Sequence, residues 1–495
     1  MTNPAAASTA QYSERDRWIA LVVLCAGFLM IILDQTIVNV ALPSIQDDLD
    51  FSQSSLAWVV NAYLIAFGGL LLLAGRLGDL VGRKRMFMIG LTVFTLASLL
   101  CGVSQSQEML IGARFVQGIG GAMTSAVILG MIVTMFPKPA DQAKAIGVYS
   151  FVAAGGASIG LLAGGVLTEA LNWHWIFFVN VPIGIATGLL AQRLIHRDAG
   201  IGLRRGADVP GAVLIVSALM LAVYTIVETD KYGWGSARTL VLGAVALALL
   251  GGFILREAKA STPLIPLRIF RSRIVSGANL VQALTVGGLF GMFFLGALYM
   301  QRVLGYGAID VGLAFLPVAV LIGVFSLGVT ARLIVRFGAR ATMLPGLVAI
   351  AAGLVLFQRA PVDADYVVDL LPAMILLGIG GGLFFASLMT LAMSAATQED
   401  SGLASGLVNT TQQVGGALGL AVIATLSASR TETLRGNGDS LAQALTSGYH
   451  LAFAIGAALV GAAIVLAVVL LRPEPAVDEA QELVPAEEAV ELEAA

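Results

Sequence analysis

The sequence predicts an all-α integral membrane protein: fourteen transmembrane helices, arranged as two six-helix bundles with two further helices inserted between them. Three observations carry this expectation. Of 495 residues, 58% are hydrophobic and 12% charged, with a mean hydropathy of +0.90; soluble domains carry about 25% charged residues. Fourteen apolar runs follow one another, beginning near Trp18, Leu56, Met86, Met109, Lys144, Trp175, Val209, Leu240, Ile274, Val311, Ala341, Asp369, Gly402 and His450. Each is long enough for the roughly 20 apolar residues that a helix needs to cross about 30 Å of hydrocarbon. Finally, a short loop sequence recurs. "GRLGDLVGRK" (75–84) and "ARLIVRFGAR" (331–340) share Arg, Leu and Gly at identical spacing, Arg76, Leu77 and Gly82 matching Arg332, Leu333 and Gly338.

The elements divide the chain in order. Residues 1–17 read as a cytoplasmic segment and 18–192 as the N-terminal six-helix bundle. Residues 193–273 hold the two inserted helices with their flanking loops, 274–472 the C-terminal six-helix bundle, and 473–495 a tail with eight acids and no base. That tail has the composition of a solvated, disordered end. The first run spans about 23 residues and ends without a small-residue cleavage site, so it is expected to stay in the membrane. Every connection is short, leaving no room for an appended soluble domain. With both termini cytoplasmic, inside segments hold 21 Lys and Arg and outside loops 6, which the positive-inside rule favours. Both recurring loops then follow the second helix of their set, and such duplication places a substrate site near the midplane between halves.

Asp34 stands alone as an acid within "FLMIILDQTIVNVALP" (28–43). An ionised group there costs roughly 2.5 to 3.5 kcal/mol on insertion scales, so an intramembrane acid is a functional candidate by default. Arg114 lies in the fourth run at a similar depth and is the expected partner. Burial and a neighbouring guanidinium pull a carboxyl's proton affinity in opposite directions, which suits proton coupling; a permanent structural ion pair is the alternative. Gly156, Gly160 and Gly164 recur every four residues in the fifth run, with Gly165 beside them, and form a face that allows close helix approach. Asn39, Asn61, Gln117, Asn409 and Gln413 offer neutral hydrogen bonds inside helices, while Phe293, Tyr299 and Phe384 suit an apolar, adaptable substrate cavity. Cys25 and Cys101 lie in apolar runs and read as small hydrophobes, and no histidine has a second ligand at metal spacing.

"GRLGDLVGRKR" (75–85) resembles the loop between the second and third helices of the major facilitator superfamily, with Gly75, Leu77, Asp79, Gly82, Arg83 and Lys84 in register. With "LDQTIVNVALP", "LIGARFVQGIGGA", the glycine run, "WHWIFFVNVPIG" and "GLASGLVNTTQQVGGALGLAV", the chain resembles the fourteen-helix drug:proton antiporter branch from about Trp18 to Arg472. The resemblance implies a major facilitator fold and a gating role for the loop. It departs at Leu161, where the antiporter pattern has a proline after the middle glycine, so this helix is a weaker guide to transport direction.

Together these readings predict proton-driven efflux of small amphipathic or cationic drugs by alternating access, in a bacterial cytoplasmic membrane. A proton-coupled uptake symporter is the alternative, disfavoured because Arg114 is the one clear intramembrane base. No GxxxxGK[ST] occurs to bind a nucleotide phosphate. The expected partners are a small-molecule substrate and the bilayer, with no nucleic acid, no cofactor beyond the coupling protons, no metal, no enzyme activity and a functional monomer.

Overall fold

The computed structural model describes residues 14–196, 198, 200, 202, 206–394 and 401–471. The acidic tail and most of the segment 1–17 lie outside them. The described chain is helical throughout and contains no strand. The N-terminal half comprises α1 (Glu14–Asp48), α2 (Trp58–Val81), α3 (Arg83–Gly102), α4 (Gln107–Met135), α5 (Pro139–Ala170) and α6 (Asn180–Leu194), the last preceded by the single turn Trp175–Phe178. The inserted pair is α7 (Val209–Tyr232) and α8 (Ala237–Lys259). The C-terminal half comprises α9 (Arg273–Arg302), α10 (Ala308–Val324), α11 (Ala339–Phe357), α12 (Leu371–Ser394), α13 (Ser401–Gly436) and α14 (Leu441–Leu470). Each element coincides with one of the fourteen apolar runs. Among the described residues twelve helices are long and apolar enough to cross a membrane. The other two expected crossings contain the shorter apolar stretches Ile159–Ala170 and Ala308–Val324. The second continues through a wider π-type turn, Phe325–Val329, into Thr330–Phe337.

Small residues set the packing. On α5, a Cβ at Gly160 would lie 2.0 Å from Thr36 Oγ1, and at Gly164 2.6 Å from the Ile37 carbonyl oxygen, so only glycine lets α5 lie this close to α1. Gly156 meets Leu29 and Ile32 on the same face. Gly165 turns instead to α10, where a Cβ would be 2.7 Å from the Ala308 oxygen, and Leu161 presents its carbonyl to Gly312 of that helix. The small-residue face is thus kept where the proline is missing, and it joins the halves. In the C-terminal half Gly287 of α9 meets Gly419 of α13 in the same manner.

At the end of the bundle opposite the 75–84 loop, polar bonds also join the halves. Gln301 donates to the Val40 carbonyl at 2.9 Å, and Arg302 reaches the Pro43 carbonyl at 3.2 Å and the Asp47 carboxylate. In the reverse sense Glu169, at the end of α5, accepts from the Ile309 amide in the first turn of α10 at 3.1 Å. Arg302 and Glu169 each place a charge of the favourable sign near a helix end of the other half. A cavity of about 430 Å³ lies beside this junction, lined by Asp47, Asp50, Phe51, Arg302 and Tyr449 among others.

Candidate functional site

Asp34 and Arg114 meet. Arg114 Nη1 donates to Asp34 Oδ2 at 2.5 Å, with both side chains fully buried. Asp34 lies near the middle of α1, and Arg114 lies two turns into α4. The guanidinium is held from three sides. Its Nε donates to the Val59 carbonyl at 2.9 Å, Nη1 also donates to Gln117 Oε1 at 2.6 Å, and the Tyr63 ring lies 4.4 Å beneath its carbon. The other carboxylate oxygen, Asp34 Oδ1, accepts from Gln117 Nε2 at 2.7 Å and from Asn180 Nδ2 at 2.9 Å. Gln117 Nε2 is further engaged with Ser98 Oγ at 2.8 Å, and the Cys101 thiol points to Gln117 Oε1 at 3.6 Å.

Burying two ions costs several kcal/mol each, and hydrogen bonds to a charged group return about 1.5–3 kcal/mol apiece. The four hydrogen bonds that Val59, Gln117 and Asn180 make with the pair are therefore what let it persist inside an apolar bundle. A carboxyl so held can take up and release a proton at one fixed position. Asn180 was not among the residues expected here. It opens α6, far along the chain from α1, and its signal in the sequence is its place in "WIFFVNVPIG", an amide at a helix start between apolar neighbours.

The 75–84 loop is a tight turn. Gly82 ends α2 with φ +102°, a conformation that side-chain-bearing residues rarely adopt, and α3 starts at once. Asp79 pairs with Arg83 at 3.0 Å, and Arg83 Nη1 donates to the Gly130 carbonyl of α4 at 2.9 Å. Leu77 packs on the main core, and Gly75 is in ordinary contact with Ala126. The loop is also strapped from the last turn of α6 and the segment after it. Asp198 accepts from the Arg83 and Lys84 amides at 2.6 and 3.0 Å, capping α3, while Lys84 Nζ donates to the Gln192 and Ile195 carbonyls. Asp198 thus caps α3, while Asp79 is engaged with Arg83.

The expected cavity residues are dispersed. Gln117 belongs to the Asp34 cluster, and Asn39 donates within its own helix to Gln35 and Thr36. Asn61 is buried with both side-chain polar atoms unpartnered. Gln413 packs its Cβ against Gly68 of α2, and its Oε1 is unpartnered. Phe293 lies against Phe315 and Phe384 against Phe385, whereas Tyr299 sits in an aromatic cluster with Phe357 and Tyr449, its hydroxyl donating to the Pro361 carbonyl at 2.6 Å. None of these lines the cavity at the junction of the halves. A second buried acidic group, unforeseen, closes the base of the inserted pair. Asp208 caps α7 and accepts from Arg256 at 3.0 Å, and Glu257 accepts from the Ile265 amide at 2.8 Å. Both cysteines are buried and free, and no group of three metal-ligating side chains occurs among the described residues.

The model of the Major Facilitator Superfamily matches residues 24–420. The chain belongs to that superfamily. As a member it is a multi-pass membrane transport protein and not an enzyme. It is similar to a puromycin resistance protein of Streptomyces alboniger, 39% identical over 96% of this chain and 95% of the relative. It is also similar to a cephamycin export protein of Amycolatopsis lactamdurans, 40% identical over 83% of this chain and 85% of the relative. The major facilitator fold is seen in a bacterial homologue of the human lysosomal transporter Spinster, with a TM-score of 0.68, 16% identity and coverage of 94% of this chain and 100% of that one.

Proposed function

We propose that this transporter exports small amphipathic or cationic drugs by exchanging them for protons, with Asp34 as the proton-coupling carboxylate and Arg114 as its charge partner. The observation that carries the reading is the fully buried Asp34–Arg114 pair in its cage of neutral donors, within a chain about 40% identical to proteins named for antibiotic export and resistance. Orientation with both termini cytoplasmic follows the base count. The 75–84 loop then lies at the cytoplasmic face and gates exchange, and the Arg302 and Glu169 bonds close the outer face. One charge moving through 100 mV supplies about 2.3 kcal/mol, which sustains more than a tenfold concentration ratio. The test is accumulation of a panel of dyes and antibiotics in an efflux-deficient host with and without the protein. Export predicts lower accumulation, abolished by a protonophore; higher accumulation would favour the uptake symporter.

A further inference from the structure

Asp34 is surrounded by donors, an arrangement that suits the ionised carboxylate and not the protonated one. A protonated carboxyl must donate its own hydrogen, and the cluster has to supply an acceptor. Gln117 cannot turn to provide it. Its Oε1 already accepts from Arg114 at 2.6 Å and faces the Cys101 thiol, and its Nε2 is shared between Asp34 and Ser98, so turning over would set an NH2 group against the guanidinium. Asn180 is built differently. Its Nδ2 donates to Asp34 Oδ1 at 2.9 Å, while its Oδ1 is buried and has no partner. A buried carbonyl oxygen left unpaired is costly, and here it belongs to the same amide that touches the carboxylate.

We infer that Asn180 is a positioning residue that reads the protonation state of Asp34. With the carboxyl ionised, Nδ2 donates to Oδ1 of Asp34, as in the structure. When a proton from water binds that oxygen, the amide turns over about its Cβ–Cγ bond and its own Oδ1 accepts the new O–H. No other bond forms or breaks, and Arg114 and Gln117 keep their partners. The groups facing Asp34 are Arg114 from α4, Tyr63 from α2, whose ring lies under the guanidinium, and Cys101 from α3, whose thiol points to Gln117. From α6 comes Asn180 itself. Because Asn180 is the first residue of α6, directly after the turn Trp175–Phe178, the amide passes the state of Asp34 to the end of that helix.

The inference rests on Asp34 taking up a proton, and infrared difference spectroscopy of the purified, reconstituted full chain across a pH titration separates the two. The wild type should show a protonated-carboxyl stretch that Asp34→Asn removes. It should also show a side-chain amide feature that titrates with it and shifts when asparagine is isotopically labelled. In Asn180→Leu the carboxyl band should move to higher wavenumber, as a free O–H group requires, and the labelled amide feature should vanish. A carboxyl band that Asn180→Leu leaves in place, or an amide feature that does not follow pH in the labelled wild type, would overturn the role of Asn180 alone. Absence of any titrating carboxyl band would overturn both the role of Asn180 and the coupling by Asp34. The labelled wild-type measurement stands even if the leucine variant does not fold.

Discussion

At the turn after its second helix, each half carries a glycine at positive φ, Gly82 at +102° and Gly338 at +85°. In both, the glycine amide closes the preceding helix, at 2.9 Å onto Gly78 and 2.8 Å onto Ile334, and the next helix begins immediately. The backbone is repeated and the chemistry is not. Asp79 and Arg83, paired in the first half, correspond to Val335 and Ala339 in the second, and Val335 is almost fully exposed. The interiors diverge in the same way. The N-terminal half buries an ion pair held by Gln117, Asn180 and the Val59 carbonyl, whereas α9 and α13 of the C-terminal half meet through neutral groups, Asn279 with Thr411 at 2.8 Å and Gln282 with Gln412 at 3.4 Å. Gln282 Oε1, Thr285 Oγ1 and Gln413 Oε1 there are buried without partners. Unpaired neutral groups leave hydrogen-bonding capacity open in both halves, Asn61 and Asn180 Oδ1 in the first and these in the second, but among the described residues only the first half pairs two fully buried charges. Duplication thus provided two scaffolds, and on this reading the first handles the ion and the second adapts to the substrate.

The comparison is broken most severely at Arg114. Arg114→Ala leaves the Asp34 carboxylate buried with only amide donors, and removing one partner of a buried pair costs about 3–5 kcal/mol. The purified variant should therefore unfold at a clearly lower temperature. The double variant Asp34→Asn with Arg114→Gln should recover much of that loss, since no charge is then left uncompensated, yet remain unable to drive accumulation. A double variant as unstable as Arg114→Ala would show that packing of the arginine, and not its charge, holds the cluster.

Next in size is the loop. Asp79→Asn removes the charge that pairs with Arg83 at the edge of the bundle, and it should slow exchange while leaving equilibrium drug affinity within about threefold, under 1 kcal/mol. Val335→Asn at the repeated position should change neither. Stopped-flow release and equilibrium binding on the two variants check this; a large affinity loss in Asp79→Asn would place the loop in the binding site.

These contrasts were unevenly legible in the sequence. Helix positions could be read because about 20 apolar residues in a row have few alternatives, and Asp34 with Arg114 because charges inside such runs demand partners. The repeated turn was visible since Gly82 and Gly338 are required by their φ angles. Asn180 and Asp198 were not identified as site residues, because each acts on a segment more than 100 residues away, as the bonds to Asp34 and to the Arg83 amide show. Asp208 and Glu257 lie at helix ends, where sequence suggests solvated acids, and only the packing of α7 on α8 buries them. Tyr299 reads as a cavity residue by type, but its hydroxyl is already committed to Pro361.

The smallest expected effect sharpens the substrate side. Gln413→Leu replaces an amide whose Oε1 is unpartnered, and interhelical polar contacts in membranes average well under 2 kcal/mol. The variant should fold normally and shift affinities among drugs by up to about tenfold in either direction, with proton dependence unchanged. Dye-efflux competition at several pH values tests this, and a loss of pH dependence would put the coupling function in both halves.

The central assignment is tested most directly in reconstituted vesicles given an imposed proton gradient. Wild-type protein should concentrate a transported dye against its gradient, and the concentration step should collapse with a protonophore. Asp34→Asn, whose amide is less costly to bury than the charge it replaces, should insert at wild-type levels and bind the dye but only equilibrate it across the membrane. An Asp34→Asn protein that still concentrates dye in response to the gradient would remove Asp34 from the coupling mechanism and leave it as half of a structural ion pair.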